Sequence, residues 1–369
     1  MHHLMTWYRS SLFACLGLLC ALPACRHKKT PPPLQSELNA WPTITPAEAG
    51  MDAAKLKAFS DTISGNGVVI RHDKLAYTWG KEDQALDVAS ASKPVMVHLV
   101  FKAVEEGLIG GIDDPVAKWE PGLAALNPNL NHKDLRMTWR HLMNQTSAYG
   151  LTEEPGTSFA YNDFQSMLFW EVLMQKVYKS APDEAGEKVL RPQLFDLIGA
   201  QDKPTYRVKP PPGVSGRLVI SPRDFARVGL VYLHGGQWQG RQVIEKKWVD
   251  LALHSPLPLS LPRTTGKDAE MLPGARTMGG TKDQEENLGA YSFMWWLNKP
   301  DAKGRLLWPD VPADAYCAAG HGGVKVLMVI PSLDMVVVWA NTTLQNVPMC
   351  GVGRDQINEA MKKMLAAVR

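Results

Sequence analysis

One stretch constrains this chain more than any other: Pro94 to Glu106, in which Val95, Met96, Leu99, Val100, Ala103 and Val104 cover most of a helix circumference. A helix apolar nearly all round has to be enclosed by the rest of the fold, so this one is expected in a core. It opens with Ser90-Ala91-Ser92-Lys93. Ser90 and Lys93 stand one helical turn apart on the same face, so an amine can reach a hydroxyl. Ser92 is a candidate N-cap and Pro94 suits a first helical turn. A serine beside a lysine dry enough to lose its proton near neutral pH is a nucleophile with its base. Two residue types at a fixed spacing recur by chance about once in a chain this long. Ser90 is, however, the only serine here followed three residues later by lysine.

The chain can supply the enclosure. Its 369 residues, 45% hydrophobic and 21% charged, suffice for a large core or for two lobes sharing one, and exclude disorder for the bulk. The 40 basic and 37 acidic residues are well mixed, with a net charge of +3, and apart from Arg26 to Lys29 there is no basic cluster. No nucleic-acid partner is expected. The histidines are scattered singly and no His-Glu-x-x-His occurs, so neither a metal nor a cofactor is implied.

The first residues have a different character. Arg9 precedes an apolar run from Leu12 to Leu22, too short for a stable bilayer span, which reads as a secretory signal over residues 1–24. Export to the periplasm or beyond is expected. Residues 25–45, with Pro31, Pro32 and Pro33, read as an exposed tether, and folding is expected from about residue 46 to 369. With Cys15 and Cys20 inside the signal and Cys25 at its edge, only Cys317 and Cys350 remain in the body, and whether they pair is open.

Within the body, Asp52 is placed to cap a helix carrying Leu56, Phe59 and Ile63, and two strand-like runs flank Arg71-His72-Asp73-Lys74 as a hairpin. Helix signals dominate from about 108 to 221, with starts at Thr138, Asp163 and Ser221-Pro222. Residues 255–288 are long for a loop and are expected to border a binding site. Strand signals return at Ser292 to Leu297, Val324 to Ile330 and Met335 to Ala340, and a helix-patterned tail carries Ile357, Met361 and Met364. The α+β order implies a sheet lobe built from both termini around a helical one.

Three separated elements together resemble the serine β-lactamase and penicillin-binding-protein superfamily, nearest to class C enzymes and their related family VIII esterases. They are Ser90-Ala91-Ser92-Lys93, Pro155-Gly156-Thr157-Ser158-Phe159-Ala160-Tyr161-Asn162-Asp163, and Gly320-His321-Gly322-Gly323 before an apolar strand. Leu22-Pro23-Ala24-Cys25 is similar to a bacterial lipobox, which implies a lipidated Cys25 and membrane attachment, against the alternative of simple cleavage near Ala24. The superfamily resemblance implies an antiparallel sheet flanked by helices, an all-helical lobe over about 108–221, and an active site between them. It implies that Ser90 attacks an acyl carbon, that Lys93, with its pKa lowered by burial and nearby positive charge, takes or relays the proton, and that Tyr161 shuttles it onward. It points to the amides of Ser90 and Val324 as oxyanion donors, with Gly322 and Gly323 on a strand edge that substrate approaches.

Two departures bear on substrate. Asp163 stands where the family has Asn, and His321 where it has the lysine of Lys-Thr-Gly. An ionised Asp163 repels an anionic substrate and a neutral His321 cannot pair with one, which favours a neutral small-molecule ester or amide. His321 can instead orient substrate, tune Tyr161 or be purely structural. The expectation is an exported serine hydrolase acting on an ester, amide or peptide. Its rivals are a β-lactamase or D-alanyl-D-alanine carboxypeptidase, and a non-catalytic peptidoglycan-binding or sensor lipoprotein. An α/β-hydrolase is disfavoured, because Gly213-Val214-Ser215-Gly216-Arg217 lacks the last glycine of Gly-x-Ser-x-Gly.

Overall fold

The computed structural model describes residues 41–209, 214–274, 286–344 and 354–369. The chain divides into two units, 1–34 and 35–369, and only the second is described. The signal, Cys25 and most of the tether therefore lie outside the described residues, as does Cys350; Cys317 is a buried free thiol. Among the described residues no helix is long and apolar enough to cross a membrane.

In chain order the elements are α1 (Ala53–Ile63), β1 (Asn66–Arg71), β2 (Lys74–Trp79), β3 (Leu86–Asp87), α2 (Lys93–Glu105), α3 (Trp139–Met143), α4 (Asp163–Glu171), β4 (Thr205–Lys209), β5 (Val214–Ile220) and α5 (Pro222–Leu233). There follow β6 (Gln237–Trp238), β7 (Arg241–Gln242), α6 (Lys246–His254), β8 (Tyr291–Ser292), β9 (Trp295–Leu297), β10 (Tyr316–Gly320), β11 (Lys325–Ile330), β12 (Met335–Ala340) and α7 (Arg354–Leu365). The main sheet is antiparallel, in the order β2-β1-β12-β11-β10-β9-β8, so strands from both ends of the body interleave. Helices cover both faces. On β12, Val336 meets α5 where a Cβ on Gly229 would lie 2.8 Å from Val336 Cγ1, whereas Trp339, on the opposite face, packs against Phe59 of α1. Coverage on both sides explains why β11 and β12 are buried at every position instead of alternating.

The expected helix starts are there. Asp52 accepts from the amides of Ala54 and Lys55, Thr138 forms a capping box with His141, and Ser221 accepts from Asp224 N. The stretch read as one helix from Asp163 to Tyr178 is α4 followed by a wider π-helical turn, Val172–Val177. The span expected to be helical also carries β4 and β5, which pair with each other and, through β5, with the distant β3 in a small sheet, a pairing that only the fold supplies. The run Ser292 to Leu297 is broken by Phe293 and Met294, both at positive φ, into the hairpin β8–β9. Folding also begins earlier than expected: Ile44 N donates to Leu75 O and Leu75 N to Pro42 O, so residues 42–44 pair with β2 and are not tether.

Helix α2 is enclosed on several sides. Phe101 stacks on Trp248 of α6 at 4.8 Å and leans on Phe293 of the β8–β9 hairpin, while Tyr178 Oη donates to Leu99 O from the helical lobe.

Candidate active site

Ser90 sits in a tight 3-10 turn, Ala89–Ser92, between β3 and α2. Ala89 is held at φ +49°, a conformation that costs a non-glycine residue about 1–3 kcal/mol and persists only when its surroundings enforce it. They do so here. Asp87 Oδ1 accepts from Ala89 N at 2.7 Å, Val88 N donates to Leu218 O of β5, and Ser92 Oγ donates to Ala89 O at 2.7 Å. Ser92 thus spends its hydroxyl on the nucleophile turn and makes no side-chain cap on α2. The end of β10 presses on the same turn: a Cβ on Gly320 would lie 2.6 Å from Val88 O and 3.1 Å from Ala91 N. Gly320, given no role by its sequence position, is the glycine that lets strand and nucleophile meet.

Lys93 is 5% exposed, and its Nζ donates to Ser90 Oγ at 3.0 Å and to Asp163 Oδ1 at 3.3 Å. Tyr161 lies against the same amine, with its ring centroid 4.7 Å from Nζ. Burial pulls the Lys93 pKa down and Arg217 adds to that. Tyr161 and the Asp163 carboxylate outweigh both, so the pKa lies above the ordinary lysine value. The expectation of a lowered lysine is corrected: Tyr161 first and the Asp163 carboxylate next hold the ammonium form. Asp163 is held low in turn, by Lys93 first and then by Arg217 and His321, against the opposing effect of its burial. Arg217, on β5, brings its guanidinium to 3.8 Å from Asp163 Oδ2. The carboxylate is therefore compensated from two sides, and the argument that it repels anions fails. Arg217 was missed because only the pairing of β5 with β3 carries it to Ser90; its sequence neighbourhood holds no motif.

Tyr161 is placed by a rigid segment. Ala160 N donates to Gln145 O, Asn162 N to Gln145 Oε1, and Gln165 N to the capping Asn162 Oδ1 that starts α4. Its ring meets Tyr291 edge-on at 6.1 Å and Trp296 at 6.4 Å, so the aromatic cluster of β8 and β9, all buried, backs the phenol. The described part of the long loop grips this segment: Phe159 N donates to Pro262 O, Thr264 N to Phe159 O, and Glu153 accepts from the amides of Thr265 and Gly266. Residues 275–285 of that loop lie outside the described residues.

His321, Gly322, Gly323 and Val324 form the turn between β10 and β11, with the first three at positive φ. Val324 N, the second oxyanion donor that the resemblance implies, donates within this turn to His321 O at 3.2 Å. Gly322 and Gly323 serve the reversal of the chain, and Trp339 Nε1 donates to Gly323 O. His321 is exposed and close enough to Asp163 to help hold its charge.

Beside Ser90 the cleft is lined by Met96, Trp170, Leu190, Tyr206 and Leu218, with Lys93, Asp163 and Arg217 as its charged residues. Trp170 and Tyr206 stack at 4.0 Å. No residue cluster here calls for a metal or cofactor; the one described group of metal-ligand type, Asp73, His234 and Asp334, is separate from these lining residues.

A nucleophile turn under an antiparallel sheet, with a lysine opening the helix that follows it and a tyrosine from the helical lobe, defines the β-lactamase and transpeptidase-like architecture. The family model described as Beta-lactamase matches residues 53–360, and the chain belongs to that family of serine hydrolases. Solved structures agree on the fold. A putative 6-aminohexanoate-dimer hydrolase from Bacillus anthracis is 16% identical with a TM-score of 0.60, over 89% of this chain and 88% of its own. A putative β-lactamase from Bacteroides dorei DSM 17855 is 15% identical at 0.59, over 85% and 97%. A family VIII carboxylesterase is 16% identical at 0.55, over 83% and 96%. No curated protein matches the sequence.

Proposed function

We propose that this chain is an exported serine hydrolase that cleaves an ester or amide through an acyl-enzyme on Ser90. The observation that carries the reading is the 3.0 Å contact between Lys93 Nζ and Ser90 Oγ beside a cleft that both residues line. With Lys93 as ammonium, its donation to Oγ stabilises the serine alkoxide as it forms, and Tyr161, which lies against the same amine, takes the serine proton only as it passes its own phenolic proton to the leaving group, whose bond to the acyl carbon breaks. Oγ bonds to the acyl carbon, the leaving alcohol or amine takes up the proton from Tyr161, and water then releases the acid by the reverse relay. Export, and anchoring through a lipid on Cys25, rest on the leader and its lipobox-like end.

Intact mass spectrometry after incubation with a fluorophosphonate tests the reading. One adduct on the wild type and none on Ser90→Ala is expected; a folded wild type that takes no adduct overturns it in favour of a binding or sensor protein. A slow-released penicillin adduct at Ser90 would instead make cell-wall chemistry the reaction.

A further inference from the structure

Away from Ser90, the fold gathers histidines and carboxylates that the sequence scatters. Asp73 lies in the turn between β1 and β2, His234 caps the C-terminal end of α5, and Asp334 lies in the turn between β11 and β12. One ligand atom of each stands within 4.8 Å of the other two. This is the far end of the main sheet. Gly320, ending β10, presses on the nucleophile turn, and β11 leads from that end to Asp334 over six residues, roughly 20 Å of strand. His234 Nε2 is 2.5 Å from Asp73 Oδ1, and His72 Nδ1 is 3.0 Å from Asp334 Oδ2, so a fourth donor borders the group. Among the described residues both carboxylates form ion pairs with histidines alone; no lysine or arginine neutralises them. His72 and Asp73 fill a two-residue hairpin turn, both at positive φ, and Asp334 is at φ +47°. Asn and Gly are the usual occupants of such positions. Here they hold residues of metal-ligand type.

We propose that Asp73, His234 and Asp334 form a binding site for a divalent transition-metal ion of the zinc type, with His72 orienting Asp334. Metal binding replaces protons on such donors, and a histidine nitrogen close to a carboxylate oxygen is a place where an ion can do so. Donors around a tetrahedral ion at about 2.0–2.1 Å stand roughly 3.3 Å apart, so this group closes on one by small side-chain rotations, which the exposed Asp73 and His234 are free to make. An imidazole in the set selects zinc, cobalt or nickel over magnesium and calcium, whose shells are built from oxygen. Asp73 and His234 also line a cavity of about 190 Å³ with Trp41, Pro42 and Trp238, which leaves room for water to complete the shell. The ion ties two turns of the sheet to the end of α5. It takes no part at Ser90, and the proposal stands apart from the reaction assigned there.

Cobalt titration of the untagged full chain, stripped of metal with a chelator beforehand, tests this at neutral pH beside calorimetry with zinc. The wild type is expected to develop visible d–d absorption that saturates, without the near-ultraviolet band of a thiolate ligand, since the donors are nitrogen and oxygen. Asp73→Asn and His234→Ala each abolish that absorption and the matching zinc heat. His72→Ala weakens binding by about 10- to 100-fold, the cost of losing an orienting partner. Added zinc raises the thermal midpoint of the wild type and leaves those of Asp73→Asn and His234→Ala unmoved, because an ion that binds only the folded state stabilises it. No visible absorption in the wild type overturns the proposal without recourse to any variant, and leaves the group as two His–Asp pairs. A thiolate band overturns it too, as does absorption that survives both substitutions, because the ion is then held elsewhere on the chain. The fluorophosphonate adduct on Ser90 is expected at the same rate with zinc and with chelator, so either reading can fail while the other stands.

Discussion

Lys93 and His98 sit five residues apart on the same helix, both are buried, and their protonation is pushed in opposite directions. Lys93 at the helix start has Tyr161 and Asp163 against its amine, and its pKa stays above the ordinary value although burial opposes it. His98, one turn further in, lies near the ammonium of Lys102 and the ring of Tyr232. Burial first and Lys102 second push its pKa from 6.5 to about 3, with the Gln193 backbone only partly opposing. Burial alone therefore does not decide the charge of a group; the partners brought to it do. One end of α2 is a charged reaction centre and the next turn is neutral packing.

The comparison breaks most visibly at its charged end. Lys93→Met leaves Asp163 facing only Arg217 and His321, and turnover of a reactive ester is expected to fall roughly 10²- to 10⁴-fold, the scale of lost acid–base assistance. Denaturant unfolding should show a loss toward the low end of the about 3–5 kcal/mol for stripping a buried pair of one partner, because Asp163 keeps 31% of its side chain exposed. A variant as active as the wild type would remove Lys93 from the chemistry.

The neutral end is read from acid stability. His98 has a folded pKa of about 3 against 6.5 as its model value, so the unfolded chain takes up that proton first and stability falls as pH drops through this window. The slope is up to about 1.4 kcal/mol per pH unit from this one group. His98→Leu should remove that contribution, visible in urea midpoints compared between pH 6.5 and 4. An unchanged slope would mean that His98 gains a partner on acidification.

Asp163→Asn sharpens the contrast by turning Lys93 toward the condition of His98, buried with less to hold its charge. The Lys93 pKa moves down, and if the ammonium is the working form, the alkaline limb of kcat/KM moves to lower pH. A rising limb that moves to lower pH instead would make neutral Lys93 the base. Thr138→Ala, outside both regions, calibrates the series: losing the α3 cap costs about 1 kcal/mol and leaves both pH profiles where they were.

What was legible in the sequence was local. The Ser90–Lys93 spacing, the caps Asp52, Thr138 and Ser221, the strand Met335–Ala340 and the all-round apolar face of α2 follow from residues within a turn or two of each other, where the backbone period fixes who meets whom. The Tyr161 segment was found through its resemblance. Gly320 against the Ser90 turn, the use of the Val324 amide inside its own turn and the pairing of residues 42–44 with β2 were not legible, since each depends on a close approach between distant segments. The charge state of Lys93 shows the division most clearly. Sequence placed a lysine in a dry helix and so implied a lowered pKa. The tertiary structure brought Tyr161 to the amine and Asp163 from 70 residues away, and together they reversed the sign against burial and Arg217. Hydrophobic periodicity is a property of neighbours along the chain, whereas an electrostatic balance sums over every charge within a few ångströms, and only the fold decides which those are.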